Sequence, residues 1–159
     1  MSTVAVRIAE GGLADLPAVM AVMDDSFDPR FGEAWTASQC AGLLPLPGVW
    51  LALARDRGEI VGFSLSRIVL DEAELLLLAV RRAHQGQGVG RVLLADFAAA
   101  AIARRARLLH LEVRDGNSAA RLYEQAGYSL AGRRRDYYLG ADGDRYDALT
   151  LTKKAGPGE

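Results

Sequence analysis

A single cysteine, Cys40, in 159 residues leaves no partner for an intramolecular disulfide, and such usage suits a reducing cytoplasm. Charge of either sign is not in excess: 19 basic and 20 acidic residues give a net charge of −1, which argues against a dedicated nucleic-acid binder. Seventeen of the nineteen basic residues are arginine, which reads as a composition bias and carries no functional meaning. The two histidines, His84 and His110, have no cysteine or acidic partner at ligand spacing, so no metal is expected. The longest apolar runs, Leu75–Val80 and Phe97–Ala103, fall far short of the roughly 20 residues that cross a bilayer. Met1–Glu10 has no charged segment leading into an apolar one, so neither a signal peptide nor a membrane partner is expected. Repeats, linkers and low-complexity tracts are missing as well.

What remains is an ordinary globular composition, half hydrophobic and a quarter charged, long enough to bury one core. Val4–Ala9 alternates like a strand. Ala14–Ser26 has helical spacing at Leu16, Val19, Met20, Met23 and Phe27, with Asp15 before Pro17 as its cap. Thr36–Leu44 reads as a second helix, stopped by Pro45 and Pro47. Val49–Arg55 and Ile60–Val69 form a strand pair turning at Gly58, and Glu74–Arg81, after a turn at Asp71–Glu72, is a central strand apolar on both faces. A long helix, Val89–Ala106, carries Val92, Leu93, Phe97 and Ile102 on one side. Leu108–Arg114 is a strand, Ser118–Ala126 a helix closed by Gly127, and Tyr128–Arg135 and Ala148–Thr152 are final strands across a loop rich in Gly and Asp. The expected architecture is one α/β domain over residues 1–152 with a mixed sheet, followed by a frayed tail at 153–159.

Gln85–Arg91, QGQGVGR, sits where the central strand ends and the long helix begins. Each glycine there costs about 0.5–1 kcal/mol relative to alanine if helical. The compensation is access. A helix N-terminus leaves about four backbone N–H groups unpaired and carries about half a positive charge, and glycines ahead of it let a bulky anion approach. A nucleotide-triphosphate loop would need Gly-Lys-Ser/Thr, but Gly90 precedes Arg91 and Val92; a dinucleotide fingerprint would need glycine where Arg91 stands. The pattern Q/R-x-x-G-x-G/A is met by Gln85, Gly86, Gln87, Gly88, Val89 and Gly90, with a merely flexible turn as the alternative.

With that loop the chain resembles the GNAT superfamily of acetyl-CoA-dependent N-acetyltransferases. VLDEAELLLLAV (Val69–Val80), QGQGVGRVLL (Gln85–Leu94), LHLEVRDGNSAA (Leu109–Ala120), LYEQAGY (Leu122–Tyr128) and RRRDYY (Arg133–Tyr138) are similar to the ribosomal-protein alanine N-acetyltransferases, the RimI-like branch, over about Val61 to Leu151, with a fainter echo at Glu33–Ser38. The resemblance implies a mixed, mostly antiparallel central sheet of about six to seven strands flanked by helices. It implies acetyl-CoA as cosubstrate, with Leu78, Ala79 and Val80 along the pantetheine arm and Gly86, Gln87, Gly88, Val89, Gly90 and Arg91, after Gln85, around the pyrophosphate. Glu112 would be the proton acceptor, Tyr123 the proton donor, Asn117 a cofactor contact, and Tyr137 and Tyr138 the walls of a peptide groove.

Those residue types suit the chemistry. An α-amine with pKa near 8 is about a tenth neutral at pH 7, so one carboxylate working through water can take its proton. Glu112 is the one acid within its strand, and read without the resemblance it is equally an exposed acid; Tyr123 is equally a packed helix aromatic. A phenol with pKa near 10 matches a departing thiolate of similar basicity. Cys40 has no nearby histidine, so direct transfer in a ternary complex is expected over a covalent acyl-enzyme. His84 and the run Arg133–Arg135 are read as solvated, the arginines alternatively as a rim for an acidic peptide.

Two departures from the family pattern matter. Gly86 stands where the family often has a basic residue, which predicts weaker acetyl-CoA binding unless Arg91 or Arg82 compensates. The step from Asn117 to Tyr123 is one residue short, and inside a helix that would swing the tyrosine by about 100°. Intact LYEQAGY puts the deletion in Asp115–Asn117 and the uncertainty on Asn117. The expected acceptor is the N-terminal amine of a protein, an alanine-starting small-subunit ribosomal protein, in the cytoplasm. The alternatives are acetylation of a small amine such as a polyamine, amino acid or aminoglycoside, and a silent acyl-CoA-binding regulatory module.

Overall fold

The computed structural model describes residues 5–156; the start of the expected first strand at Val4 and the end of the expected tail at 157–159 lie outside them. Seven strands form one sheet: β1 Arg7–Gly11, β2 Val49–Asp56, β3 Glu59–Val69, β4 Glu72–Val80, β5 Leu108–Arg114, β6 Ser129–Leu139 and β7 Arg145–Lys154. Their spatial order is β1-β2-β3-β4-β5-β7-β6, and every pairing is antiparallel except β4 with β5. Among the described residues four α-helices cover the faces: α1 Leu16–Ser26, α2 Ala37–Leu43, α3 Val89–Ala103 and α4 Ala119–Gln125. The mixed, mostly antiparallel architecture expected from the sequence is the one observed.

Local chemistry explains the boundaries. Thr36 and Gln39 close a reciprocal capping box at the start of α2. Pro17 occupies the first turn of α1, where its missing N–H costs nothing. Three expectations shift. The β3–β4 turn is Leu70–Asp71, one residue earlier than read, because Glu72 already pairs with Val69. α3 ends at Ala103, since Arg105 turns to φ +68. The last two strands are longer than read and take in Tyr137 and Tyr138 on one side and Lys153 and Lys154 on the other.

The buried face of α3 is Val89, Leu93, Leu94, Phe97 and Ala101, whereas Val92 and Ile102 are exposed. This corrects the expected stripe: Val89, Leu93, Phe97 and Ala101 step by four along one face, and Val92 and Ile102 fall off it.

Buried residues among those described form three clusters over the two faces of the sheet. α1 and α2 cover Leu51, Leu53, Phe63, Leu65, Leu77 and Ala79. α3 and α4 cover Trp50, Leu75, Leu109, Leu111, Val113 and Leu151, where Trp50 stacks on Phe97. β4 serves both. Its register against β3 slips by one residue, pairing Leu65 with Leu77 but Ser66 with Leu75, so Leu76 is an unpaired bulge. Ala73 and Leu75 therefore face α3, while Leu77 and Ala79 face α1. β4 pairs with β5 only from Glu72↔Leu108 to Leu75↔Leu111, and beyond the bulge the two strands part.

Candidate active site

Where β4 and β5 part, a cavity of about 570 Å³ opens. One end meets the glycine loop at Gln85, Gly86, Gly88, Gly90 and Arg91; the other meets Glu33, Tyr137 and Tyr138. Gly86 at φ +79 and Gly88 at φ +92 hold left-handed backbone, which an L side chain adopts only at a cost, and Gly88 is the residue before α3. The first helical bond is donated by Val92 to the Gly88 carbonyl, so the amides before Val92 precede the ladder. That is a platform of backbone donors for an anion. A Cβ on Gly90 would stand 3.3 Å from a methyl of Leu122, tighter than ordinary packing, where α4 meets α3.

The sequence-read residues fall in two groups. Leu78, Val80, Gln85, Gly86, Gly88, Gly90, Arg91, Glu112, Asn117, Tyr123, Tyr137 and Tyr138 line the one cavity. Ala79 and Val89 are set back, Ala79 packing under α1 and Val89 under β3, so only their backbone can reach a ligand, and Gln87 is half-buried outside the lining of the cavity. Gln85 donates its side-chain amide to the Val80 carbonyl at 2.9 Å, tying the loop to the end of β4. Arg82 is engaged with Asp25 through both its backbone N–H and its Nε, which leaves Arg91, exposed at the loop, as the freer cation.

β5 alternates cleanly. Leu109, Leu111 and Val113 point into the α3 core, and Glu112 and Arg114 share the opposite face. Glu112 accepts from the Thr150 hydroxyl at 3.2 Å and pairs with Arg134 on β6. The arginine run is therefore not simply solvated: Arg134 reaches the site, and Arg133 forks to Asp115 and Asp147, each at 2.8 Å. His84, also read as solvated, stands 3.6 Å from Asp56 with only its flank exposed.

Tyr123, from α4, is 6% exposed and meets Tyr128 edge-on at 6.3 Å. Burial, then the neighbouring Tyr128 and Glu33, push its phenol well above the usual range, so it stays protonated at any ordinary pH. Tyr138 is pushed up in the same way, by burial first and then by Glu33 and Glu112. β6 is irregular just there. Two extra residues between Arg134↔Ala148 and Tyr138↔Tyr146, with Asp136 at φ +51 and its N–H donated to Asp147, bulge the strand over Arg135, Asp136 and Tyr137, immediately before Tyr138.

Asn117 lies in the wall, but its amide donates to Glu33 at 2.7 Å and its carbonyl accepts from Ala119 N–H at 2.8 Å. Sequence reasoning gave no role to Glu33 or Arg114; their partners are far apart in the chain, and only the echo at Glu33–Ser38 hinted at that loop. Cys40 is buried under α1, away from the cavity, and burial raises its thiol pKa. Among the described residues no cluster of His, Cys, Asp or Glu is placed to hold a metal ion, and no helix is long and apolar enough to cross a membrane.

The chain resembles known proteins in the same region. The model of the Acetyltransferase (GNAT) family matches residues 16–128. The [ribosomal protein bS18]-alanine N-acetyltransferase of Escherichia coli is 42% identical over 97 residues, 60% of this chain and 65% of that one. N-alpha-acetyltransferase RimI of Mycobacterium tuberculosis is 35% identical over 141 residues, 84% of this chain and 80% of that one. The match thus spans just under two thirds of the Escherichia coli relative's length. A crystal structure of the ribosomal-protein-S18-alanine N-acetyltransferase from Escherichia coli superposes with a TM-score of 0.85 at 30% identity, covering 98% of this chain and 97% of that one. The glycine loop, the forked strands, Glu112 and Tyr123 all lie inside the matched segment, and the chain belongs to the GNAT acetyltransferase family.

Proposed function

We propose that the protein transfers an acetyl group from acetyl-CoA to the N-terminal α-amine of a protein, a small-subunit ribosomal protein beginning with alanine, by direct attack within a ternary complex. The observation that carries the reading is that Glu112 and Tyr123 border one cavity running from the glycine loop to Tyr137 and Tyr138. The amides opening α3 would hold the pyrophosphate, and Leu78 and Val80 would flank the pantetheine arm where β4 leaves β5. The acceptor enters past Tyr137 and Tyr138. Glu112, oriented by Thr150, takes the ammonium proton through water, and the freed amine attacks the thioester carbonyl. As the C–N bond forms, the C–S bond breaks and Tyr123 gives its proton to the departing thiolate, while the second proton, shed by the acylated nitrogen as it becomes the neutral amide, returns to the Tyr123 phenolate. Burial keeps the phenol protonated and so available at working pH, but it also makes it a weaker acid than a free phenol, so the match in basicity expected from the sequence is not kept.

The family resemblance supports the peptide acceptor over a polyamine, since Glu112 is paired with Arg134 and Glu33 with Arg114, leaving no free acidic cluster at these two places for a polycation. The test is thiol release from purified protein with acetyl-CoA and a panel of alanine-starting peptides, internal-lysine peptides and polyamines. Turnover confined to the N-terminal amines is the expected result; preference for a small amine, or none at all, overturns the reading. Direct transfer has its own check. Cys40→Ala keeps activity within about twofold, because a buried thiol with a raised pKa supplies no thiolate. A folded but inactive variant would contradict it.

A further inference from the structure

Arg114 is a cation with only 11% of its side chain exposed, lying in the wall of the cavity that must receive an ammonium. Its guanidinium rests 3.7 Å from the centre of the Phe31 ring, which in turn meets Tyr146 edge-on at 5.2 Å. The only carboxylate that pairs with it among the described residues is Glu33, itself 10% exposed, with 3.2 Å between Nε and Oε1. The Arg114 Nε–H does not aim at that oxygen, so the contact is an ion pair and not a hydrogen bond. The other Glu33 oxygen accepts from Asn117, 84 positions away, and Asn117 caps the first turn of α4 through Ala119. One carboxylate therefore ties the segment before α2 to the junction of β5 and α4, the helix that carries Tyr123.

We propose that Glu33 is a positioning residue for acceptor capture: it neutralises Arg114 inside the cavity and fixes the Asn117 turn, so that an amine can approach without meeting an unpaired buried cation. The inference rests on the acetyl-transfer reading but not on which amine is the acceptor. A buried pair of this kind is costly to break from one side, because the remaining charge stays desolvated and uncompensated. Here that residual charge is positive and faces an incoming ammonium, so the damage falls on the acceptor. The glycine loop makes no hydrogen bond or ion pair to Glu33 or Arg114 among the described residues.

The test compares the full chain with Glu33→Gln and with the double variant Glu33→Gln/Arg114→Met, measuring acceptor KM, kcat and the calorimetric Kd for acetyl-CoA. Glutamine keeps the shape and an acceptor for Asn117 but loses the charge. The expected result is an acceptor KM raised by about tenfold or more, a Kd for acetyl-CoA within about twofold, and recovery of most of the KM loss in the double variant. An unchanged KM, a Kd rising in step with KM, or a double variant no better than the single overturns the proposal. If Glu33→Gln does not fold by circular dichroism, the double variant decides alone, a KM within about threefold of the parent supporting the proposal and one beyond about tenfold overturning it. If the parent acetylates no N-terminal peptide, the substrate reading fails on that measurement, and the same comparison is made with whichever small amine it does acetylate.

Discussion

Tyr123 has three influences acting in one direction: burial, the Tyr128 ring and the Glu33 charge all favour the neutral phenol. In the proposed reaction a proton donor held that way does not titrate in the working range, so kcat/KM for an N-terminal peptide is expected to rise with pH as the amine, pKa near 8, deprotonates, and to show no falling limb below about pH 10. A descending limb centred near pH 8 would remove Tyr123 from the role. Tyr123→Phe lowers kcat about 10²–10³-fold while acetyl-CoA Kd moves less than about twofold, a split that stopped-flow turnover and calorimetry resolve. The roles proposed for Glu112 and Tyr123 were suggested in the sequence only by the motifs around them. The residues that orient them were not, because Thr150, Arg134 and Glu33 reach the site from other strands and loops.

At the scale of elements, the start of α3 and the fork of β4 from β5 carry the proposed site. Gly88 sits at φ +92, where alanine pays about 1–2 kcal/mol. Gly88→Ala is therefore expected to weaken acetyl-CoA binding about tenfold and to lower Tm by a few degrees, read by calorimetry and a thermal melt. Unchanged affinity would mean that the loop backbone does not touch the cofactor. The Gln-x-x-Gly-x-Gly spacing made this loop readable in advance, since each glycine answers a backbone requirement. The fork was not readable. The run LLLLAV offers apolar side chains to both faces at every register, so nothing in it marks Leu76 as the bulge that swaps faces. Val92 and Ile102 were misplaced for a similar reason, as α3 is so rich in alanine that several stripes look apolar. The bulge at Asp136, a non-glycine residue at positive φ, gives no local signal either.

For the molecule as a whole, one α/β domain with a mixed sheet was foreseen from alternating strand and helix periods, and the helices flanking that sheet from the family resemblance. The way the two halves of the chain meet was not, because it depends on contacts such as Asn117 with Glu33 and Ala141 N–H with the Pro29 carbonyl. At the latter crossing a Cβ on Gly140 would overlap the Arg30 carbonyl, so the β6–β7 turn is locked against the segment before α2. The buried phenols also set an alkaline limit. Burial pushes Tyr128 up to about 12, above its unfolded value near 10. The raised pKa means the folded state keeps a proton that the unfolded state releases, so the stability is complete below pH 10 and is lost as pH rises toward 12, roughly 3 kcal/mol for this residue. Denaturant unfolding between pH 9 and about 12 is expected to show that decline, shallower in Tyr128→Phe; equal slopes would contradict it. The central claim is that bare amides opening α3 grip a diphosphate, and a paired calorimetric titration tests it most directly. Coenzyme A is expected to bind one to one, and pantetheine, which shares the arm but lacks the diphosphate, about 100-fold more weakly or not detectably. Equal affinity for the two, or no affinity for coenzyme A, would contradict the account.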